Sequence, residues 1–308
     1  MLHVDTPLLR SRPLGRLTDK TVWLKLEALQ PTGSFKLRGI GAACEEYKRQ
    51  GRTRFVSSSG GNAGLAAAYA GRVLGVPVTV VIPQSTSAHM KTLLEQEGAS
   101  VIVHGAVWSE ANQRAQSLLD GSTAFLHPFD DPLVWKGHST LIDEVVRAGA
   151  EFDAVILSVG GGGLLSGIAE GLERNGLRDT PIIAVETKGA HCLSEAMATG
   201  VNRPVEMTSI ATSLGANQVS EHAFEIARSR DVRSLVVSDL EALEACEQFL
   251  SAHRVLVEPA CGASLAALYS PRRLASLRGI RSPLVVVCGG VTATWERIKE
   301  WKALAAST

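Results

Sequence analysis

Asp153–Gly167 reads DAVILSVGGGGLLSG. Its first half, DAVILSV, is an aliphatic run with no polar alternation, which marks a strand covered on both faces. Four glycines follow at 160–163, and the residues after them are patterned as a helix to about Arg174. Ile182–Glu186 is the next strand. A strand that passes through a short turn into a helix and then into another strand is the repeating unit of a parallel α/β sheet.

Upstream the same alternation recurs. Thr21–Glu27 (TVWLKLE) alternates like a half-buried strand. Arg54–Ser58, Pro77–Pro83, Ser100–His104 and Thr123–Leu126 are strand-like. Between them, Asn62–Leu74 is an Ala-rich helix, with further helices near Ala88–Gln96 and Glu110–Leu119. A longer helix is expected near Leu133–Arg147. Downstream, Ser238 and Glu241 form a capping box for a helix over Asp239–Ala252, and Leu284–Cys288 is a last buried strand before Gly289-Gly290. The pattern predicts two α/β lobes with no repeat or long linker. No shift in composition marks their boundary.

Thirty-one basic and 31 acidic residues cancel. That balance speaks against a general affinity for nucleic acid or anionic membrane, so a small anion must be held by local groups. Cys44, Cys192, Cys246, Cys261 and Cys288 are odd in number and widely spaced, which predicts a reducing compartment rather than a disulfide framework or a structural zinc site. MLHVDTPLLRSRPLG at the N-terminus has no uninterrupted apolar run, and no stretch approaches the ~20 apolar residues of a membrane span. A cytoplasmic protein is expected.

Three glycine-rich turns follow strand-like runs: Ser57–Gly64, Gly160–Gly163 and Gly289–Gly290. In open parallel sheets ligands gather at the carboxyl ends of strands, so these turns could share a cleft. Gly160–Gly163 exposes backbone N–H groups at a helix start, where phosphate binds without side-chain charge. A dinucleotide fingerprint does not fit, since Gly161 and Gly163 are followed by Ser166 where a third glycine belongs. Lys36 lies in PTGSFKLRG, residues 31–39; beside Phe35 and at a helix start, a shielded amine has a lowered pKa and attacks aldehydes. The plainer alternative is a solvated surface charge. SSSGGNAG, residues 57–64, is either a neutral pocket for a carboxylate or a serine-rich helix cap, and local reasoning leaves both open.

Together PTGSFKLRG, SSSGGNAG, SVGGGGLLSG, VEPACGASLAA (257–267) and VVVCGG (285–290) resemble the fold-type-II pyridoxal-phosphate (PLP) enzymes, and most of all the catabolic serine dehydratases, or serine/threonine ammonia-lyases. The resemblance runs over nearly the whole chain. It implies a two-domain, tryptophan synthase β-like α/β fold, each domain an open, mostly parallel sheet flanked by helices. Residues 1–30 and 133–308 would form the large PLP-binding domain, and 31–132 the small one. It implies PLP-dependent β-elimination of L-serine to pyruvate and ammonia, and of L-threonine to 2-oxobutanoate, in a homodimer.

The residue roles are likewise implied by the resemblance. Lys36 is the Schiff-base lysine and the base at the substrate Cα; Phe35 packs on the cofactor ring; Asn62 donates to its hydroxyl. Gly160, Gly161, Gly162, Gly163 and Leu164 wrap the phosphate, which is the candidate proton donor to the leaving hydroxyl. Ser59, Gly60, Asn62 and Ala63 hold the substrate carboxylate. Cys288 faces the pyridine nitrogen. A thiol, with a reference pKa of about 8.5, cannot enforce a pyridinium, which favours elimination over transamination. Related dehydratases bind a monovalent cation, usually K+, and the matching positions are Glu186, Ala190, Leu214 and Ala216; the alternative for Glu186 is a solvated strand-end acid.

His127, His138 and His191 show no metal-ligand spacing and are read as ordinary histidines. Biosynthetic threonine deaminases carry an added C-terminal regulatory domain, which a chain ending at Thr308 leaves no room for. Serine racemases of this fold place a serine where Gly60 stands, so Gly60 argues against racemisation. The rival readings are 3-hydroxyaspartate dehydratase, serine racemase, a cysteine synthase-like enzyme, and an inactive PLP-binding paralogue.

Overall fold

The computed structural model describes residues 1–305. Ten strands form two sheets: β1 (Leu8–Arg10), β2 (Trp23–Lys25), β3 (Arg54–Ser57), β4 (Val78–Ile82), β5 (Ser100–Val103), β6 (Thr123–Phe125), β7 (Ala154–Ser158), β8 (Ile182–Thr187), β9 (Val232–Val237) and β10 (Pro283–Val286). One sheet has the order β1-β2-β10-β7-β8-β9, the other β5-β4-β3-β6. Every pairing is parallel except β1 with β2.

The aliphatic run at 154–158 becomes β7 because it is covered on both faces; all its residues are buried. It lies between β8 and β10, with Val155 opposite Ile182 and Leu284 opposite Val155. Helices Pro132–Arg147 and Gly163–Arg174 pack closely on each other. Glycine at 171 permits this, since a Cβ there would stand 2.7 Å from the Ser139 carbonyl oxygen. The four-stranded sheet has its own apolar core, built from Phe55, Val78, Val80, Leu94 and the alanines of helix Asn62–Leu74.

The strand and helix expectations hold within one or two residues for most elements. Helix Asn62–Leu74 and helix Ala88–Gln96 match fully. The capping box is present: the Ser238 amide donates to Glu241 and the Glu241 amide to Ser238 Oγ, opening helix Asp239–His253. The expected strand at Thr21–Glu27 is shorter, because Glu27–Leu29 closes into a 3-10 turn. Strand β9 and helices Pro259–Tyr269 and Glu221–Ser229 were not anticipated. Among the described residues no helix is long and apolar enough to cross a membrane, and all five cysteines are free and buried.

Candidate active site

The carboxyl ends of β7 and β10 and the first turns of helices Lys36–Arg49, Asn62–Leu74, Gly163–Arg174 and Pro259–Tyr269 line one cavity. Its wall contains Phe35, Lys36, Asn62, Gly160–Gly163, Leu164 and Cys288. The glycine turns thus meet, as their positions after strands suggest. Ser59, Gly60 and Ala63 are not among the residues that line it; Ser59 and Gly60 are half-buried and Ala63 is buried. Ser59 Oγ accepts from the Gly61 amide, and Ala63 is buried in the smaller core. A Cβ on Gly60 would stand 2.6 Å from Thr86 Oγ1.

Lys36 is the first residue of helix Lys36–Arg49 and is half-buried. Its Nζ donates to the Pro128 carbonyl at 2.7 Å and sits 5.1 Å from the Phe35 ring centroid. Burial pulls the amine down to about 8, with Cys288 and Glu258 partly offsetting the shift. Near neutral pH a usable fraction is therefore an uncharged nucleophile. Phe35 packs in turn on His138, centroids 4.8 Å apart; His138 is fully buried, burial holds it well below the ordinary histidine value, and neither ring nitrogen has a hydrogen-bond partner among the described residues.

Opposite the lysine, the glycine turn begins helix Gly163–Arg174, which has no side-chain cap. The amides from Gly161 to Leu165 find no acceptor among the described residues; the first return bond is from the Ser166 amide to the Gly162 carbonyl. A row of unpaired N–H groups at a helix start is a ready anion site. The glycines are sterically required. A Cβ would stand 2.9 Å from Leu214 Cα at Gly160, 2.4 Å from the Phe129 ring at Gly161 and 2.7 Å from the Phe129 carbonyl oxygen at Gly163. Gly162 has a φ of +93°. A phosphate group suits this cradle, and an aldehyde suits Lys36 across it, so the residues present fit PLP.

Cys288 is 6 % exposed; the neighbouring Cys261 thiol, followed by burial, pushes its own thiol well above the ordinary range. Any ring nitrogen near it meets a neutral group. Glu186, at the end of β8, is fully buried. Its two oxygens accept from the Leu193 and Ser194 amides at 2.9 and 2.8 Å, at the start of helix Cys192–Thr199, and burial pushes its carboxyl up to about 8. It is therefore not a solvated acid. Ala190 and Leu214 are buried, and the Ala216 amide donates to the Leu214 carbonyl.

The wall also contains Phe129, before helix Pro132–Arg147, with Ser213 and Glu258, to which the sequence reading gives no role. Only Glu258 lay inside a quoted motif, VEPACGASLAA, where it reads as an ordinary residue before a helix. Among the described residues no cluster of His, Cys, Asp and Glu could hold a metal ion by side chains alone.

Comparison with protein families matches residues 1–289 to the family described as pyridoxal-phosphate dependent enzyme. The human protein named serine dehydratase-like is 49% identical over 301 residues, covering 94% of this chain and 90% of the relative. The human protein named L-serine dehydratase/L-threonine deaminase is 43% identical, covering 98% and 95%. The crystal structure of a fungal L-serine ammonia-lyase from Rhizomucor miehei superposes with a TM-score of 0.93 at 34% identity, covering 98% of both chains. With an anion cradle, a half-buried amine and a neutral thiol around one cavity, and a family match over nearly its whole length, this chain belongs to the pyridoxal-phosphate dependent enzymes.

Proposed function

We propose that the chain deaminates L-serine to pyruvate and ammonia by β-elimination, and takes L-threonine to 2-oxobutanoate in the same cavity. The observation that carries this reading is the placement of the Lys36 amine in one cavity with the unpaired amides of 161–165 and with Cys288, a thiol rather than a carboxylate. When bound, PLP supplies the electron sink for the bond broken at the substrate Cα. Lys36 holds the cofactor and, once free, removes the Cα proton. Gly160, Gly161, Gly162, Gly163 and Leu164 hold the phosphate, and Phe35 and Asn62 orient the ring. Ser59, Gly60, Asn62 and Ala63 take the substrate carboxylate through backbone and side-chain donors. The names of the human relatives and of the fungal neighbour support serine and threonine as the substrate class. The crowding of Thr86 on Gly60 speaks against a second acid/base there and so against racemisation.

Three finer readings go with it. Residues 31–132 act as a small domain and 1–30 with 133–308 as a large one, in keeping with the two separate cores. A K+ ion binds at Glu186, Ala190, Leu214 and Ala216, where its charge would offset a carboxylate that burial disfavours. The chain works as a homodimer. The test is an assay of ammonia and 2-oxo acid release over serine, threonine, cysteine and 3-hydroxyaspartate, with and without K+. Release from serine is expected to lead. A protein that binds PLP and releases nothing is an inert binder, and release from 3-hydroxyaspartate alone overturns the substrate assignment.

A further inference from the structure

Glu258 immediately precedes helix Pro259–Tyr269 and is 2 % exposed, yet it lines the same cavity as Lys36. Its Oε1 accepts from Asn62 Nδ2 at 2.9 Å, and its Oε2 accepts from the Thr292 amide at 3.1 Å and from Thr292 Oγ1. Among the described residues it has no ion-pair partner within 4.0 Å. The backbone makes room for it. Gly290 has a φ of +116°, and a Cβ there would stand 1.9 Å from the Glu258 carboxyl carbon.

Asn62 completes a ring. Its Oδ1 accepts from the Val291 amide at 3.1 Å, next to Thr292. An amide whose oxygen meets an N–H and whose nitrogen meets a carboxylate has only one satisfactory orientation, so the usual ambiguity between its oxygen and nitrogen is removed. One N–H is then committed to Glu258. The other donates to Ser213 Oγ at 3.2 Å, a hydroxyl on the cavity wall, and is the one able to turn to a ligand.

We propose that Glu258 is a positioning residue that holds the Asn62 amide nitrogen toward the cavity, so that its second N–H is presented to the ring hydroxyl of the cofactor. The inference rests on the PLP reading given under the proposed function. Only an all-acceptor group serves. The site offers the carboxylate three donors: Asn62 Nδ2, the Thr292 amide and Thr292 Oγ1. Glutamine would set its own NH2 against one of them. If it kept Thr292, it would drive Asn62 to flip, which would bring Oδ1 to the glutamine and cost the Val291 bond.

The test is PLP titration, followed by absorbance, of protein stripped of cofactor, in a cycle of wild type, Glu258→Gln, Asn62→Ala and the double variant. Glu258→Gln is expected to weaken PLP binding by about 10- to 100-fold, the scale of one hydrogen bond to a charged group. A positioning residue acts through the residue it positions, so Glu258→Gln should add nothing in the Asn62→Ala background. Effects that multiply in the double variant, or wild-type affinity in Glu258→Gln, overturn the proposal. If Glu258→Gln does not fold, the cycle is run with Glu258→Asp. That variant keeps an all-acceptor group but is one methylene too short to span Asn62 and Thr292, and the same non-additive loss is expected. Wild type that takes up no PLP refutes the proposed function itself; wild type that binds while the variants match it refutes only the role of Glu258.

Discussion

Replacing Arg38 with methionine takes one cation out of a buried, balanced set of four charges. Arg38 is fully buried and follows Lys36 by two residues on the same helix. Its guanidinium grips Glu27 through Nε and Nη2 at 2.7 and 2.8 Å, and Glu144 through Nη1 and Nη2 at 2.5 and 2.7 Å. Lys25 Nζ reaches Glu144 at 2.5 Å and the Thr6 carbonyl at 2.6 Å. His3, 4.0 Å from Glu144, is lowered by burial and by Arg38, so it adds no charge at neutral pH. Two cations face two carboxylates, and methionine leaves a net charge of −1 in the interior. Breaking a buried pair in this way costs about 3–5 kcal/mol, a large share of the ~5–15 kcal/mol that holds a typical domain folded.

The pH dependence gives a second reading. Burial alone would raise Glu144, but Arg38 and Lys25 overcome it and hold the carboxyl at about 2, against an ordinary 4.5. With the folded value below the unfolded one, its contribution is complete above pH 4.5 and is lost as pH falls toward 2. Urea unfolding of wild type and Arg38→Met at pH 7 and at pH 3 is the assay. The difference should be about 3–5 kcal/mol at pH 7 and smaller at pH 3. A loss under about 1 kcal/mol at pH 7, with an unchanged denaturant slope, would refute the reasoning. The cluster would then not be what seats the Lys36 helix against β2 and helix Pro132–Arg147.

Lys36→Ala should abolish the absorbance of lysine-bound PLP and all 2-oxo acid release with the fold intact; borohydride reduction and peptide mapping check it, and a label on another lysine refutes it. Capture of PLP by the stripped protein should rise with pH and level off above about 8, not near 10.5. Because the folded value is the lower one, this lysine should also make that protein more stable as pH rises from about 8 to 10.5, which melting curves would show. Gly161→Val should displace Phe129, whose ring lies 2.4 Å from the new Cβ, at about 1–3 kcal/mol, and weaken PLP binding; unchanged affinity on titration would make the glycine run only a turn. Cys288→Ala should bind PLP and eliminate more slowly, whereas Cys288→Asp should raise the ratio of pyridoxamine phosphate formed to 2-oxo acid released. An unchanged ratio in an active Cys288→Asp enzyme would leave Cys288 a packed thiol.

Much of the site was legible because its parts are short and local. The Lys36 segment, the four glycines and the Asn62 helix start each declare themselves within a few residues. Roles within the site were less legible. Glu186 at a strand end could be a cation ligand or a solvated acid on sequence alone; the fold places two backbone amides on it and buries it fully. The Gly161 turn looked like a simple approach path for phosphate, but the fold lays the Phe129 ring against it. No local pattern marks Phe129, Ser213 or Glu258 as cavity walls.

By itself the sequence determined the alternation of strand and helix, the limits of helix Asn62–Leu74, and the glycine-rich turns that follow strands. These follow from side-chain periodicity and turn stereochemistry, which act over a few neighbouring residues. Tertiary structure alone decided the strand order that sets β10 between β2 and β7, and the antiparallel edge at β1. It alone brought Lys36 to the Pro128 carbonyl across 92 positions, and Asn62 to Glu258 across 196. Such contacts form only when packed sheets bring distant segments within hydrogen-bonding reach, and the cost of leaving a buried carboxylate or amide unpaired then fixes which partners meet.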